Sequence, residues 1–320
     1  MSGRVEAVGN PLDAGWVGGA VVRRESLVNA STRVVVIGNP ASGRGTGSAR
    51  MTAVSESCAT YGVKCTCMQS LAPGHAEELA RSACSMGSDL VIAVGGDGTV
   101  RDVMAGLQGN QVPLGLVPAG TGNDLARTLG IPTDVERAVE IALSGHSRRL
   151  DVWLWNGVPF VNVAGVGMDA AVARVVNERF RFLTGAAAYV AGFLTVFPRY
   201  KPMRVRLKWE SGAWEGSAWL VAVANGQYYG GGMRVAPAAS PDDGYLSVIV
   251  VEGIPKIQLL GQFPRLFTGA HVKHPGVRCL QVRELSITGD THVATIDGEL
   301  LASTPAAIRM SAESCVFRTP

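Results

Sequence analysis

Apolar residues in the first half of the chain fall in short runs. RVVVIG (33–38), VKCTCM (63–68), DLVIAV (89–94) and LGLVP (114–118) are strand-length, while HAEELARSAC (75–84) and VRDVMAGL (100–107) repeat their apolar positions at helical spacing. Strands alternating with helices predict a parallel sheet with helices on both faces, over residues 32–149. From Leu150 the texture changes. RLDVWLW, VPFVNVAGVG, MRVRLKWE, SAWLVAVANG, GYLSVIVVEG and AAIRMSA alternate between Gly, Asp and Pro turns, which predicts a mostly antiparallel β-sandwich over 150–320. The extreme C-terminus is left free to return to the first domain, and a helical segment at about 169–197 reads as an insertion. Within it FLTGAAAYVAGFLTVFP (182–198) is interrupted by Thr184, Gly185, Gly192 and Thr195. That pattern predicts a buried helix, since a bilayer span needs about 20 mostly apolar residues. Residues 1–31 have no sustained periodicity and read as a mobile leader; VGGAVV is too short for a signal-peptide core.

Composition narrows the class. The chain has 320 residues, 47% hydrophobic and 17% charged, enough material for two cores. A net charge of +3 is too slight to indicate a nucleic-acid partner. Six cysteines without a CxxC pair do not make a disulfide framework and read as reduced thiols of a cytoplasmic protein. Cys65 and Cys67 share one strand face, which favours packing over metal binding. His271 and His274 lack a Cys or acid partner at metal spacing and read as surface residues rather than zinc ligands.

Ligands of parallel sheets bind beyond the carboxyl ends of the strands. Three loops fall there: GNPASGRGTG after the first strand, GGDGTV after the third and PAGTGNDLAR after the fourth. Gly95, Gly96 and Gly98 let backbone N–H groups converge on a phosphate. A helix beginning near Thr99 adds its N-terminal partial charge, and the Thr99 hydroxyl a further donor. Asp97 in such a cradle repels bare phosphate, so it suits a magnesium ion or a transferred proton. In the third loop Thr121 offers a hydroxyl, and Asn123 or Asp124 is expected to cap the next helix. Neither a P-loop nor a dinucleotide fingerprint is present.

NPASG, GGDGTV, PAGTGNDLAR and the distant IDGEL together resemble the diacylglycerol kinase catalytic family, which includes bacterial soluble lipid kinases and sphingosine kinases. The resemblance runs from about Arg33 to the C-terminal region. It implies ATP in the cleft between an α/β domain and a β-sandwich, held by Asn39, Pro40, Ala41, Ser42 and Gly43, by the loop Gly95, Gly96, Asp97, Gly98, Thr99, Val100 and Arg101, and by Thr121. Ser70 stands where relatives usually have Thr. Glu299 of IDGEL is implied as the proton acceptor, with Asp97 the rival. AASPDDGYLSV (238–248) resembles a magnesium-binding segment, implying Asp243 with the carbonyls of Ser240 and Tyr245. Arg101, Asp102 and Ser247 depart from the family pattern. The implied reaction is ATP- and Mg2+-dependent phosphorylation of a hydroxyl on diacylglycerol or a related lipid. NAD kinase and a silent lipid or nucleotide sensor are the alternatives. The implied partner is a lipid at a membrane surface, reached by transient peripheral association; Arg204, Arg206 and Lys208, and Arg174, Arg179 and Arg181 beside Phe180 and Phe182, are candidate contacts. A homodimer is left open.

Overall fold

The computed structural model describes residues 31–180, 182–183 and 185–320. Most of the expected leader, together with Arg181 and Thr184, lies outside the described residues.

The first sheet is built on β1 (Val34–Gly38), β2 (Cys65–Gln69), β3 (Leu90–Gly95) and β4 (Leu114–Pro118), all parallel. β1, β3 and β4 are buried along their whole length, which is why they read as continuous apolar runs without alternation. The single turn α1 (Ser42–Gly45) has Gly43 and Arg44 at positive φ and is not a regular helix. α2 (Gly47–Thr60) covers one face of the sheet with α6 (Val135–Ser144), while α3 (His75–Ser85) and α4 (Asp97–Leu107) pack together on the other; the short α5 (Asp124–Thr128) follows β4.

RLDVWLW is not one strand. Its first residues finish β5 (His146–Leu150), which belongs to the first sheet, and β6 (Trp153–Trp155) starts the second. The last strand of the chain, β17 (Cys315–Thr319), lies between β4 and β5, parallel to β4 and antiparallel to β5. The sheet order is therefore β2-β1-β3-β4-β17-β5, with one antiparallel edge strand where the sequence predicts only parallel ones. Arg318 of β17 is buried, donating to the Ala142 carbonyl and, at 2.7 Å, to Ser147 Oγ.

The second sheet is antiparallel. It contains β7 (Val158–Phe160), β8 (Val163–Gly167), β9 (Met203–Trp209), β10 (Gly212–Ala224), β11 (Leu246–Glu252), β12 (Val277–Val282), β13 (Glu284–Gly289), β14 (Val293–Ile296), β15 (Glu299–Ser303) and β16 (Ala306–Met310) as well as β6. β10 pairs with β9 through its first half and with β8 and β11 through its second, so the sheet folds over a core that includes Trp153, Trp155, Phe160 and Leu207. The expected α/β sheet followed by an antiparallel β-sandwich is thus present.

Three helices cover one face of this second sheet: α7 (Met168–Arg179), α8 (Gly185–Val196) and α9 (Lys256–Gln262). α8 corrects the expectation of a buried helix. Only Ala188, Gly192 and Phe193 are buried, while Leu194 is 57% exposed. Its apolar outer face is a surface, and among the described residues no helix is long and apolar enough to cross a membrane. His271 is a further correction: it is buried, with Nε2 donating to the Val235 carbonyl at 3.0 Å. A local helical pattern reports neighbours in sequence and cannot report the strands and helices that close over a side chain.

Candidate active site

Because β1, β3 and β4 are adjacent and parallel, their three following loops emerge on one edge. The loops touch. A Cβ on Gly120 would sit 2.4 Å from the Gly96 Cα, so glycine at both positions lets two backbones meet without a side chain between them. α4 begins at Asp97, two residues before the expected Thr99.

Asp97 is the tie between the loops. Its Oδ1 accepts the Leu125 N–H at 3.0 Å and its Oδ2 the Asp124 N–H at 3.2 Å. The first amides of α5 are therefore capped from another loop, not by Asn123 or Asp124 as expected. Asn123 instead takes a left-handed φ of 53° and exchanges hydrogen bonds with the Gly120 backbone. Asp124 turns the other way, accepting from the Gly231 N–H at 2.8 Å and from Arg127 Nη1 at 2.6 Å, and so binds the first domain to the second. Burial pushes both carboxyls up, the Leu125 and Asp124 amides opposing it at Asp97, and the Asp97 charge reinforcing it at Asp124.

Glu299 reaches the cleft on the β14–β15 hairpin. The two-residue turn has Asp297 at φ 47° and Gly298 at φ 87°, the positive pair a type I′ hairpin requires. Asp297 is buried and accepts the backbone N–H groups of Val161, Asn162 and Val163, at 3.4, 3.1 and 3.0 Å. Burial drives its carboxyl up to about 7, with the Arg101 charge pulling against it. The aspartate of IDGEL thus anchors the hairpin to the start of β8, and the glutamate two residues later is held out over α4. Glu299 remains 49% exposed, and a Cβ on Gly98 would lie 2.5 Å from its Oε1. Arg101 Nη1 approaches its Oε2 to 2.9 Å, and Arg101 Nη2 bonds Asp102 Oδ1 at 2.8 Å.

The resulting cleft has a volume of about 930 Å³, near the top of the range for small-molecule sites. Of the sequence-predicted residues it brings together Asn39, Ala41, Ser42, Gly43, Ser70, Gly96, Asp97, Gly98, Thr99, Arg101, Thr121 and Glu299. Pro40, Gly95 and Val100 are not on its wall; Val100 is buried on the inner side of α4. The cleft also takes in residues the sequence reading missed, among them Arg44, Asp124, Asn162, Tyr189, Tyr229 and Asp297. The DG preceding Glu299 was the available signal for Asp297; Tyr189 and Tyr229 had none, the first lying in a segment that reads as a buried helix and the second in a Gly-rich stretch assigned to no element.

Tyr189 and Tyr229 pack edge-to-face, 6.1 Å between ring centroids, and line a second, apolar cavity of about 60 Å³ under α7, α8 and α9. Phe193, Trp219, Leu259 and Phe263 form its walls. Two polar atoms in it have no hydrogen-bond partner among the described residues, Asp169 Oδ1 and His271 Nδ1. Asp169 Oδ2 accepts from the Thr295 hydroxyl at 3.0 Å, and burial pushes the carboxyl up to about 6.

Ser240, Asp243 and Tyr245 lie outside this cleft. The Ser240 hydroxyl donates to Asp242 at 2.9 Å, Asp242 is gripped by Arg148 at 2.6 and 2.7 Å, and Asp243 Oδ1 accepts the Tyr245 N–H at 2.9 Å. Arg148 pairs with Asp242, Asp151 accepts the Gly244 N–H at 2.8 Å, and burial raises the Asp243 carboxyl, with the charge of neighbouring Asp242 adding to it. Among the described residues no three His, Cys, Asp or Glu side chains converge as a metal set. A hard cation would depend on carbonyl and water oxygens here, a donor chemistry that magnesium accepts.

Fold and site define a two-domain protein whose glycine-lined cleft faces a carboxylate delivered by a β-sandwich hairpin. Residues 33–155 match the diacylglycerol kinase catalytic domain, and residues 162–315 match the YegS C-terminal NAD kinase beta sandwich-like domain. The diacylglycerol kinase of Staphylococcus saprophyticus is 30% identical over 230 residues, 71% of this chain and 75% of that protein; that of Staphylococcus epidermidis is 32% identical over 222 residues, 68% and 70%. A crystal structure of a candidate diacylglycerol kinase from Bacillus anthracis superposes with a TM-score of 0.78 at 23% identity, covering 95% of this chain and 99% of that one. The chain belongs to the diacylglycerol kinase family, phosphotransferases with an alcohol group as acceptor.

Proposed function

We propose that the protein transfers the γ-phosphate of ATP to a hydroxyl of diacylglycerol or a related lipid, with residues 32–149 binding the nucleotide and 150–320 the lipid. The observation carrying this reading is the contact of Glu299 with Gly98, which sets a half-exposed carboxylate beside the glycine loop at the start of α4. Asn39 to Gly43, Ser70, Gly96 to Thr99 and Thr121 surround the phosphates and nucleoside. Glu299 accepts the proton of the lipid hydroxyl as its oxygen attacks the γ-phosphorus and the bond to the β-phosphate oxygen breaks, releasing ADP. Mg2+ bound with the nucleotide would neutralise charge on the phosphates. Asp97 is the weaker base, because both of its oxygens already accept amide hydrogen bonds. A second cation would be held by the Asp243 carboxylate with the carbonyls of Ser240 and Tyr245, and there it would brace the loop and take no part in the transfer.

The apolar cavity behind Tyr189 and Tyr229 suits the acyl chains, and at about 60 Å³ it must widen as α8 shifts to admit them. The same helices supply an exposed apolar rim: Leu194 on α8, and Ile257, 77% exposed, on α9, whose Phe263 neighbour stacks on Phe193 at 3.9 Å. This rim is the proposed point of transient membrane contact. Of the basic candidates, Arg206 is paired with Glu215, which weakens the strand face it shares with Arg204 and Lys208.

Transfer of labelled γ-phosphate from Mg-ATP to a panel of lipids and NAD tests the reading, with wild type beside Glu299→Ala and Asp97→Ala. Label is expected on a lipid, lost with Glu299→Ala by about 10²–10⁴-fold in rate, the range for a general base. Label on NAD, or nucleotide binding without transfer to any acceptor, overturns it.

A further inference from the structure

Arg101 stands one turn into α4, so its guanidinium adjoins the helix end where backbone N–H groups gather for an anion. The side chain is only 12% exposed. Nη2 is committed to Asp102, whereas Nη1, although 2.9 Å from Glu299 Oε2, is not aimed at that oxygen and makes no hydrogen bond among the described residues. The attraction is one of charge, and a donor stays unfilled. Glu299 Oε1 meanwhile rests against Gly98. The carboxylate therefore lies against the side of the first turn of α4, Oε1 where a Gly98 Cβ would stand and Oε2 beside Arg101.

A guanidinium does not lose its proton, and a mostly buried one keeps an anionic partner. A terminal phosphate offers that partner more charge and more acceptor oxygens than a single carboxylate oxygen reached at a poor angle. The two anions compete for Nη1 and for the space at Gly98. We propose that Arg101 and Glu299 form a latch that only the terminal phosphate of a nucleoside triphosphate opens: Glu299 is held against Gly98 until that phosphate takes over Nη1, and its carboxylate is then free to accept the proton of the acceptor hydroxyl. Asp102 stays on Nη2 and keeps the guanidinium in position throughout. Arg101 is thus a positioning residue for the base, and a diphosphate is too short to release it. The inference rests on the reading of the cleft as a nucleotide site.

Calorimetric titration with Mg-ATP and Mg-ADP tests it without any lipid, using wild type, E299Q, R101N, R101K and the double variant E299Q/R101N. Neutralising the competing carboxylate in E299Q is expected to tighten ATP by about five-fold, the equivalent of one partly exposed ion pair, and to leave ADP unchanged. In the R101N background the same E299Q change is expected to have no effect on the ATP-to-ADP ratio; thermal melts report folding, and R101K preserves the charge should R101N unfold. Wild type that binds both nucleotides, with E299Q altering both equally or neither, overturns the latch while leaving the kinase reading intact. Wild type that binds neither nucleotide overturns both.

Discussion

Leu125 donates its backbone N–H to Asp97 Oδ1 at 3.0 Å across 28 positions of sequence, so a helix after one strand is capped by a carboxylate from the loop after another. Removing that cap leaves two amides at the start of α5 without an acceptor. Asp97→Ala is expected to cost about 1–2 kcal/mol, the usual worth of an N-cap, and to weaken nucleotide binding by loosening both loops. Asp97→Asn, which keeps one acceptor oxygen, is expected to retain most of the stability. A melting curve for Asp97→Ala that overlays wild type would show that the tie carries no load.

Gly98 separates stability from catalysis. It lies inside α4 without a positive φ, so alanine suits the backbone and is expected to stabilise the helix by up to about 1 kcal/mol. The new Cβ would lie 2.5 Å from Glu299 Oε1, at the end of a flexible side chain that moves aside. Gly98→Ala should therefore melt at or above the wild-type temperature while phosphoryl transfer falls by about ten-fold or more, because the added methyl group keeps a phosphate from the first turn of α4. Equal activity in the two proteins would remove Gly98 from the phosphate site.

Asp169 gives stability a pH dependence of definite sign. Its carboxyl is raised to about 6 by burial, so between the ordinary carboxyl value and pH 6 the folded protein holds a proton that the unfolded chain releases. Stability from this group is highest at low pH and declines as pH rises through that window, by up to about 3 kcal/mol for a shift of about two units. Asp169→Asn removes the decline. Its melting temperature should match wild type near pH 4 and exceed it at pH 8; the difference between the two proteins isolates this group from Asp97, Asp124 and Asp297, which burial also raises. A difference that does not grow with pH would contradict the assignment.

The apolar rim of α8 and α9 yields a prediction about membranes. Leu194→Asp combined with Ile257→Asp changes two exposed side chains and should leave the melting temperature within about a degree, since such surface changes are worth about 0.5 kcal/mol or less each. Cosedimentation with anionic phospholipid vesicles should fall several-fold, because both apolar insertions are lost. Unchanged cosedimentation would move the contact to another face.

Legibility in the sequence followed the range of the interaction. The buried parallel strands, the glycine loops and the type I′ turn before Glu299 are local patterns, and each lies close to where the chain alone puts it. RLDVWLW failed because its two halves pair with strands of different sheets, β5 with β17 and β6 with β16, and no local feature distinguishes those partners. His271 failed for the same reason, its burial coming from segments distant in sequence. Asn123 and Asp124 were sensible caps by residue type; the competing carboxylate that displaced them comes from the loop after β3.

What the amino-acid order determined alone was the menu of elements and the chemistry of their ends: apolar runs that must be buried, glycines that admit ligands and backbones, and two acids in the turn-bearing IDGEL. Tertiary structure decided which ends meet. Aligning β1, β3 and β4 put three loops on one edge, and anchoring Asp297 to β8 swung Glu299 over Gly98, because hydrogen bonds and burial join groups by distance in space and take no account of separation along the chain.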